Sequence, residues 1–505
     1  MSTLYDRSKS AVCASYFESI SAYRKRCATY NLDTHKVEYP SGIKPWEYRG
    51  TGVPLAYDSI TRDLYVDYTD AHSLIIGPTG SKKTRLIAMP TIKILSVAGE
   101  SMIISDPKAE LYERTAETLR AKGYRIYTIN LRAVEYGQQW NPLYIPYQFY
   151  LKGDIDRACE FAYDVAENFI TKRNKGDPFW ENSASAFLFG TIMTLFRYCK
   201  EFNKPLNAVT LTNLIQLKDR LIKECESNLK PLWKYAKKIP YIASAMVGTM
   251  ETAKDTRGGI ISVLNAQLQS FQIQPNLLKM LSGNDIDLDH MGTEPTAIFL
   301  ITPDEKTTYH RLVSLFVKQS YEYLIFRAQY AEQNDTISAG KIRNRVNYIL
   351  DEFASLPAIT DFPAMITAGR SRNIRFNLFL QSKNQLFRKY ENDEQNIRAN
   401  CTNWLFLTSR EYELLNEISQ LCGTMNDRKP LISVTDLQRM DKAKGETLMM
   451  CDRLKPYIAR LPDIDEFDSK GYQPACFERH EHVDSTEVDF LELIVTSFET
   501  VGKQS

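Results

Sequence analysis

The residues best suited to chemistry form a glycine-rich octapeptide, GPTGSKKT, at positions 77–84. It directly follows a short apolar run and precedes a predicted helix that begins at Arg85. Glycines let the backbone curl so that successive N–H groups point at a phosphate, and the helix N-terminus adds a partial positive charge. Lys83 would reach the β- and γ-oxygens of ATP, and the Thr84 hydroxyl would bind the Mg²⁺ ion that bridges them. The predicted nucleotide-binding residues are Gly77, Pro78, Thr79, Gly80, Ser81, Lys82, Lys83 and Thr84.

One position departs from the usual GxxxxGK[ST] pattern, because Lys82 stands where the second glycine is expected. If residue 82 has the φ angle of a first helical turn, a side chain fits there and its ammonium favours an anion. If the loop needs a positive φ, a lysine is strained by about 1–3 kcal/mol. The sequence leaves both conformations open. It therefore also leaves open a chain that binds nucleotide and turns it over slowly or not at all.

Two carboxylates and an amide follow later apolar runs. Asp351 and Glu352 come directly after VNYIL, where Asp351 would hold the magnesium ion and Glu352 would polarise the attacking water. The next predicted strand ends at Gln381, whose amide would sense the γ-phosphate or align that water; an ordinary turn residue is the alternative. An acidic pair alone is weak evidence. Its place after a glycine-rich loop predicts an ATP hydrolase in which Lys83, Glu352 and Gln381 act on the γ-phosphate.

Three arginines lie between those two strands, in the segment TAGRSRNIR. We predict an exposed loop that carries Arg370, Arg372 and Arg375. Arg370 or Arg372 would serve as an arginine finger across a subunit boundary, where it neutralises charge in the transition state of phosphoryl transfer. The sequence does not separate this role from contact with DNA phosphates or from ordinary surface charge.

Short apolar runs alternate with helix-length segments from about Ser73 onward, a pattern typical of a parallel sheet covered by helices. We predict an α/β fold with a doubly wound, mainly parallel sheet of at least seven strands. The predicted strands lie at 74–76, 102–104, 125–129, up to 302, 346–350, 376–380, near 406 and near 449.

The alternation breaks in the middle of the chain, where helical periodicity is present and no strand is predicted. A helical insertion in the sheet domain explains this break. The predicted domains are an N-terminal helical segment (1–50), a discontinuous sheet domain (51–177 and 263–477), an inserted all-α domain (178–262) and an acidic C-terminal tail (478–505).

Two stretches outside the sheet domain have unusual charge. Residues 201–239 carry eight Lys/Arg against four Asp/Glu, with Phe202, Trp233 and Tyr235 between them. This mixture suits phosphate contact and base stacking, and a solvated helix face is an equal alternative. The tail carries seven Asp/Glu against two Lys/Arg, which is typical either of a flexible partner-binding segment or of a docked helix.

Bulk properties indicate a folded protein of more than one domain. The chain has 505 residues, of which 43% are apolar and 25% charged, and its net charge is only +1, so nucleic-acid binding would need local clusters of Lys and Arg. Nine scattered cysteines without a CxxC pair fit a reducing cytosol. No apolar run approaches the roughly 18 residues of a membrane span, and we expect a cytoplasmic protein without a transmembrane segment in this chain.

Seven segments together resemble the coupling ATPases of conjugation and type IV secretion, of the TraG/TraD/TrwB type. Several unrelated short matches in family order are more specific than a phosphate-binding loop alone. The segments are GPTGSKKT at 77–84, DPKAEL at 106–111, WNPL at 140–143, DPFWENSA from 177, TRGGI at 256–260, LDEFA at 350–354 and QSKNQL at 381–386.

The resemblance implies a RecA-like motor domain with an inserted all-α domain, assembled as a homo-hexameric ring. It implies that the ring brings a relaxase–DNA substrate to the type IV secretion channel and pumps single-stranded DNA with ATP and Mg²⁺. It also implies that the DPKAEL segment lies close to the nucleotide. Most such proteins begin with transmembrane helices. The resemblance therefore suggests that the anchor is a separate protein, that the chain belongs to a soluble branch, or that the chain is trimmed. It also suggests a location peripheral to the inner face of the cell membrane.

The alternative function is an adaptor that binds nucleotide without hydrolysis and recruits substrates to the channel; Lys82 and the acidic tail would be its marks. A kinase or dehydrogenase is disfavoured, because the sequence has neither a kinase catalytic loop nor a GxGxxG turn after a strand.

Overall fold

The computed structural model describes residues 3–10, 13–41, 50–170, 177–303, 309–330, 340–426, 428–469 and 471–490. Its buried strands coincide with the apolar runs of the sequence, and amphipathic helices lie between them along the chain. Within these ranges, no helix has both the length and the apolar character needed to cross a bilayer.

A small antiparallel sheet near the N-terminus has the strand order β2-β1-β4-β3. It corrects the prediction that residues 1–50 form a helical segment, since the described part of that segment contains two strands as well as two short helices. The strand ATYN alternates buried and half-buried residues over only four positions, and its conformation is fixed by pairing with residues 63–66. The strands are β1 (Ala28–Asn31), β2 (Val37–Glu38), β3 (Pro54–Asp58) and β4 (Asp63–Val66).

The central sheet has nine strands in the order β13-β12-β11-β5-β10-β9-β6-β8-β7. The pairs from β11 to β8 in this order are parallel, and β12 is antiparallel to both of its neighbours. The eight predicted strands are all present, and β13 is one more than predicted. Its strands are β5 (His72–Ile76), β6 (Ser101–Ser105), β7 (Arg125–Asn130), β8 (Thr296–Ile301), β9 (Val346–Leu350), β10 (Ile374–Leu380), β11 (Cys401–Phe406), β12 (Glu446–Cys451) and β13 (Tyr457–Arg460).

The register of the parallel strands brings three chain segments to one edge of this sheet. Leu380 pairs with Ile76, and Leu378 pairs with Leu350. Strands β5, β9 and β10 therefore end close together, and the residues that follow them share the carboxyl edge. In open α/β sheets this edge is where ligands bind.

Helices connect these strands and form the middle of the chain. Those described are α1 (Leu4–Ser8), α2 (Ile20–Arg26), α3 (Met89–Ala98), α4 (Glu110–Ala121), α5 (Tyr144–Lys152), α6 (Ile155–Phe169), α7 (Phe179–Glu201), α8 (Leu211–Glu224), α9 (Pro231–Ala236), α10 (Pro240–Met250), α11 (Lys254–Gln272), α12 (Pro275–Met280), α13 (His310–Tyr330), α14 (Phe362–Gly369), α15 (Lys383–Tyr390), α16 (Asp393–Ala399), α17 (Tyr412–Leu421), α18 (Val434–Gln438) and α19 (Ile464–Phe467).

The chain divides into two compact units. The first has its hydrophobic core around the parallel strands, with Ile75, Phe299 and Phe379 almost fully buried. The second contains helices α5 to α12, and the predicted insertion at 178–262 lies inside it. The first unit takes its described residues from Met1–Thr128, Asp287–Val313 and Ser320–Phe477, and the second from Ile129–Ile286, Ser314–Gln319 and Glu478–Ser505.

Two aromatic side chains predicted for base stacking are core residues of the second unit. Trp233 and Tyr235 are 3% and 7% exposed. The indole N–H of Trp233 donates to Glu251 at 3.1 Å, and the Tyr235 hydroxyl donates to Glu201 at 2.6 Å. This corrects the stacking interpretation for both residues, because a buried ring presents no face to a base. The aromatic residues of this basic stretch reflect helix packing.

The described part of the acidic tail, residues 478–490, is docked against the second unit. Val483 exchanges two hydrogen bonds with the Gln139 side chain, at 2.8 and 2.9 Å, and Asn213 donates to the Thr486 carbonyl at 2.7 Å. Phe490 is fully buried beside Tyr198. The segment docks without forming a helix or a strand, and residues 491–505 of the predicted tail lie outside the described ranges.

Candidate active site

Strand β5 leads directly into the glycine-rich loop. The Gly77 N–H donates to the Leu380 carbonyl at 3.0 Å, and the Leu407 N–H donates to the Ile76 carbonyl at 2.9 Å. Both neighbouring strands, β10 and β11, thus hold the start of the loop. An alanine methyl at Gly77 would lie 2.4 Å from the Ser81 hydroxyl oxygen, so this position has no room for a side chain.

The loop adopts the strained alternative at residue 82. Both Gly80, at φ +78°, and Lys82, at φ +68°, are left-handed. This conformation costs an L-residue other than glycine roughly 1–2 kcal/mol. Lys82 therefore fills the glycine position with a glycine-like backbone, and its side chain contacts Asp463, with 3.3 Å between the ammonium and a carboxylate oxygen.

A wide helical turn carries Thr84 out of the loop. Residues 84–88 form a π-helical turn in which the Met89 N–H donates to the Thr84 carbonyl, before α3 continues. Pro90 has no N–H to donate to the preceding turn, which favours such a local irregularity. The turn leaves the half-buried Thr84 side chain beside Lys83 at the sheet edge.

Lys83 is 8% exposed, and its ammonium lies inside the loop. It donates to the carbonyl of Gly77 and, at 3.4 Å, to that of Pro78. Burial lowers the pKa of Lys83, and the nearby carboxylates of Asp351 and Glu352 partly oppose that shift. The two carboxylates that the sequence places 268 and 269 positions later are thus neighbours of this ammonium in space.

Asp351 and Glu352 lie at the same carboxyl edge of the sheet as the glycine-rich loop. Burial raises the pKa of Asp351 to about 6, although the charge of Lys83 acts against the shift. Glu352 is left-handed at φ +54°, and its carboxylate accepts a hydrogen bond from the Gln381 amide at 3.0 Å. Gln381 therefore orients Glu352 directly from the end of the neighbouring strand.

The DPKAEL segment completes the wall of the site. Asp106 is 1% exposed and accepts a hydrogen bond from the Tyr112 N–H at 2.8 Å; burial raises its pKa to about 7. The site is a cavity of about 220 Å³. Its lining residues are Pro78, Thr79, Gly80, Ser81, Lys82, Lys83, Thr84, Arg85, Asp106, Pro107, Lys108, Glu110, Asp351 and Glu352.

A family model described as type IV secretory system conjugative DNA transfer matches residues 37–447. The chain belongs to this family. No curated protein sequence matches it significantly. Solved structures of the bacterial conjugative coupling protein TrwB are similar. TrwBdeltaN70 in an unbound form has 13% identity and a TM-score of 0.56, with 81% of this chain and 88% of that chain covered.

Two further TrwB structures contain nucleotides. The complex with the ATP analogue ADPNP has 13% identity and a TM-score of 0.56 over 83% of this chain and 89% of that chain. The complex with ADP and Mg²⁺ has 12% identity and a TM-score of 0.55 over 83% and 87%. At such identities the likeness shows the fold, and it confirms the predicted RecA-like α/β architecture.

The predicted arginine fingers of this conjugative DNA transfer protein lie away from its own cavity. Arg370 and Arg372 precede β10, at the edge of the sheet opposite to Gln381. Arg370 is exposed and pairs with Asp70 at 3.0 Å. Neither arginine lines the cavity formed by the loop and the acidic pair.

The prediction for the third arginine of that segment, Arg375, is wrong. Arg375 was expected in an exposed loop, but it lies within β10 and is 1% exposed. It donates to the Asn347 side chain at 2.8 Å and to the Thr69 carbonyl at 3.0 Å, and it pairs with Glu100 at 3.3 Å. A buried, fully paired guanidinium is a structural group and is excluded from contact with DNA.

Residues that no local motif indicates also border the loop. A second cavity of about 1070 Å³ shares loop residues 78–81 and includes Gln381, Arg410 and Lys442. Asp463, which contacts Lys82, lies 381 positions later in the sequence. Sequence reasoning missed Asp463, Arg410 and Lys442, because a parallel sheet brings distant segments together without any short-range spacing.

No described group of three or more His, Cys, Asp or Glu side chains could hold a metal ion by itself. This finding is compatible with a phosphate-bound Mg²⁺, which usually takes only one or two protein ligands and completes its shell with phosphate and water. Thr84 and Asp351 remain the predicted ligands. Both line the cavity.

His72, at the start of β5, gives the first unit a pH-dependent stability. Its Nδ1 accepts from the Phe376 N–H at 2.9 Å, so Nε2 carries the proton and donates to the Ile366 carbonyl at 2.7 Å. Burial lowers the pKa of His72 from 6.5 to about 4. Between these values the unfolded chain binds more protons, so acidification should remove about 3 kcal/mol of stability.

We therefore expect the free energy of unfolding in urea to fall as the pH decreases from about 6.5 to about 4. In His72→Gln, whose amide can donate and accept but not titrate, the fall should be smaller by most of that amount. Equal pH profiles for the two proteins would show that this histidine is not the titrating group.

Proposed function

We propose that the chain is an Mg²⁺-dependent ATPase that drives DNA through a type IV secretion channel. The observation that carries the proposal is the convergence of Lys83, Thr84, Asp351 and Glu352 on one cavity at the carboxyl edge of the sheet. Together these side chains supply an ammonium, a hydroxyl, a metal-binding carboxylate and a base. In P-loop enzymes such groups bind the phosphates and Mg²⁺ and position the attacking water.

Three features of the loop support binding of a nucleoside triphosphate. Gly77 leaves no space for a side chain and Gly80 is left-handed, so the backbone curls around a small polar volume. The Ser81 hydroxyl is buried without a hydrogen-bond partner among the described residues, as expected of a group that waits for a ligand. Within the described ranges, the hydrogen bonds of the Lys83 ammonium go to loop carbonyls, which a phosphate can replace.

The roles of the side chains follow from their positions. Lys83 would bind the β- and γ-oxygens, while Thr84 and Asp351 would hold Mg²⁺, which when bound neutralises phosphate charge. Glu352 would accept a proton from the water that attacks the γ-phosphorus, and ATP and water would yield ADP and inorganic phosphate. Gln381 would release Glu352 or share the water with it. The TrwB complexes with ADPNP and with ADP and Mg²⁺ support this choice of ligands.

The biological role follows from the family. We propose a coupling protein that recruits a relaxase bound to single-stranded DNA, or a protein substrate, and delivers it to the channel at the inner face of the cell membrane. A homo-hexameric ring, held by a separate membrane-anchor protein, would let Arg370 or Arg372 of one subunit reach the nucleotide of its neighbour. Membership of the conjugative DNA transfer family supports DNA and channel partners.

The decisive experiment measures phosphate release by the purified full chain. We expect ATP hydrolysis that requires Mg²⁺, stops with a chelator and increases with single-stranded DNA. Double-stranded DNA and a neutral polymer are the controls. The left-handed Lys82 favours a second function, the adaptor that does not hydrolyse ATP. Tight binding of a fluorescent ATP analogue without phosphate release in any condition would support the adaptor and contradict the ATPase.

A further inference from the structure

The conformation of Lys82 needs a local cause, because a lysine relaxes readily to negative φ. Its ammonium lies 3.3 Å from a carboxylate oxygen of Asp463, and its side chain is only 35% exposed. The neighbouring Lys83 ammonium turns to the other side, into the loop. The two adjacent ammonium groups therefore have different partners: that of Lys82 pairs with Asp463, and that of Lys83 donates to carbonyls of the loop.

Asp463 is held rigidly in front of Lys82. It is the N-cap residue of α19, where it takes part in a capping box with Glu466. Arg85, in the first turn after the loop, donates to Asp463 through Nε at 3.2 Å and also through Nη2. A fixed carboxylate thus contacts both the left-handed residue of the loop and the helix that follows it.

The residues that follow Asp463 are anchored to helices α3 and α4. Asp468 accepts from Arg114 at 2.8 Å and pairs with Lys93, whose side chain is almost fully buried. Ile464 and Phe467 are 0% and 5% exposed. Because these contacts do not involve Lys82, the position of Asp463 does not depend on the lysine.

We propose that Asp463 is a positioning residue for the phosphate-binding loop: it draws the Lys82 side chain away from the cradle and holds residue 82 in the left-handed conformation that glycine normally supplies. This inference rests on the proposed function, in which the loop binds nucleotide. Without the carboxylate, residue 82 relaxes toward negative φ and the N–H groups around it no longer point at the phosphates. Asp463 thereby replaces the missing glycine of the motif.

The proposal predicts a rescue. Asp463→Asn should weaken binding of a fluorescent ATP analogue with Mg²⁺ by about tenfold, the cost of an unsupported left-handed lysine. Lys82→Gly needs no support for the left-handed conformation, so adding Asp463→Asn to Lys82→Gly should change the affinity of that variant by less than about twofold. Lys82→Ala, which keeps Cβ but loses the ammonium, should be weakened like Asp463→Asn.

The matched control is Asp465→Asn. Asp465 contacts Arg85 and Arg114 but makes no described contact with Lys82, and it should leave affinity within about twofold of wild type. Thermal unfolding of each variant checks the fold. If Asp463→Asn unfolds, the comparison of Lys82→Ala with Lys82→Gly still tests the left-handed requirement.

If Asp463→Asn lowered nucleotide affinity equally in wild type and in Lys82→Gly, the proposal would be wrong, because the effect would then act through Arg85 rather than through Lys82. Equal affinity of Lys82→Ala and Lys82→Gly would overturn it as well. Failure of the wild-type chain to bind the analogue would instead overturn the proposed function, and this inference with it. Binding, rather than turnover, is measured so that the adaptor alternative does not obscure the result.

Discussion

Lys83→Ala should lower ATP turnover by roughly 10²- to 10³-fold, since it removes the ammonium that would stabilise charge on the transferring phosphoryl group. Nucleotide affinity should fall too, by about tenfold or more, because a charge-assisted hydrogen bond is lost. The fold should survive. Lys83 is buried, and its hydrogen bonds to described residues go to the carbonyls of Gly77 and Pro78, which retain access to water or ligand in its absence.

Steady-state phosphate release and titration with a fluorescent ATP analogue measure the two effects. Lys122→Ala is the matched control, because Lys122 is an exposed lysine of the same unit at the end of α4. It should behave as wild type. Turnover by Lys83→Ala within an order of magnitude of wild type would mean that hydrolysis, if present, does not occur in this loop.

The strands and the two main motifs could be predicted because their signals are local. A buried parallel strand is a continuous apolar run, as VNYIL and HSLII are, and both were recognised with the residues that follow them. The four-residue β13 and the strands of the small N-terminal sheet were not, since an alternation as short as that of ATYN does not distinguish a strand from a loop. Their conformation depends on partners distant in sequence.

Side-chain burial was the weakest part of the prediction. The same residue types that suit nucleic-acid contact, Trp233, Tyr235 and Arg375, also satisfy a core when a partner such as Glu251 or Glu100 is supplied by the fold. Nothing in a local sequence window gives that partner. Composition therefore predicted a nucleic-acid-binding surface, whereas these side chains are buried in the core.

The backbone at Lys82 shows a different limit. The sequence revealed that a glycine was missing, but φ at this residue depends on Asp463, which comes from the far end of the sheet domain. A motif search compares letters within eight positions. The structural compensation for a changed letter can lie hundreds of positions away, so a departure from a motif does not by itself indicate a lost function.

Glu352→Gln should separate binding from chemistry. Removal of the base should lower kcat by about 10²- to 10⁴-fold, while KM and the affinity for a fluorescent ATP analogue change little. The substitution preserves the local structure, because the new amide oxygen can still accept the hydrogen bond that Gln381 donates at 3.0 Å. Glutamine has the same size as glutamate, so the substitution adds no steric strain to the left-handed backbone at φ +54°.

The matched control for this variant is Glu413→Gln, an exposed glutamate in the first turn of α17, which should hydrolyse ATP at the wild-type rate. Single-turnover measurements with preloaded ATP and Mg²⁺ isolate the chemical step from product release. We expect both variants to lose hydrolysis but only Lys83→Ala to lose nucleotide affinity. This result would show that the Lys83 ammonium acts in binding and the Glu352 carboxylate in the chemical step, within one cavity. An unchanged single-turnover rate in Glu352→Gln would instead assign the base to another group, and Asp106, buried in the same cavity wall with its pKa raised to about 7, would be the next carboxylate to replace.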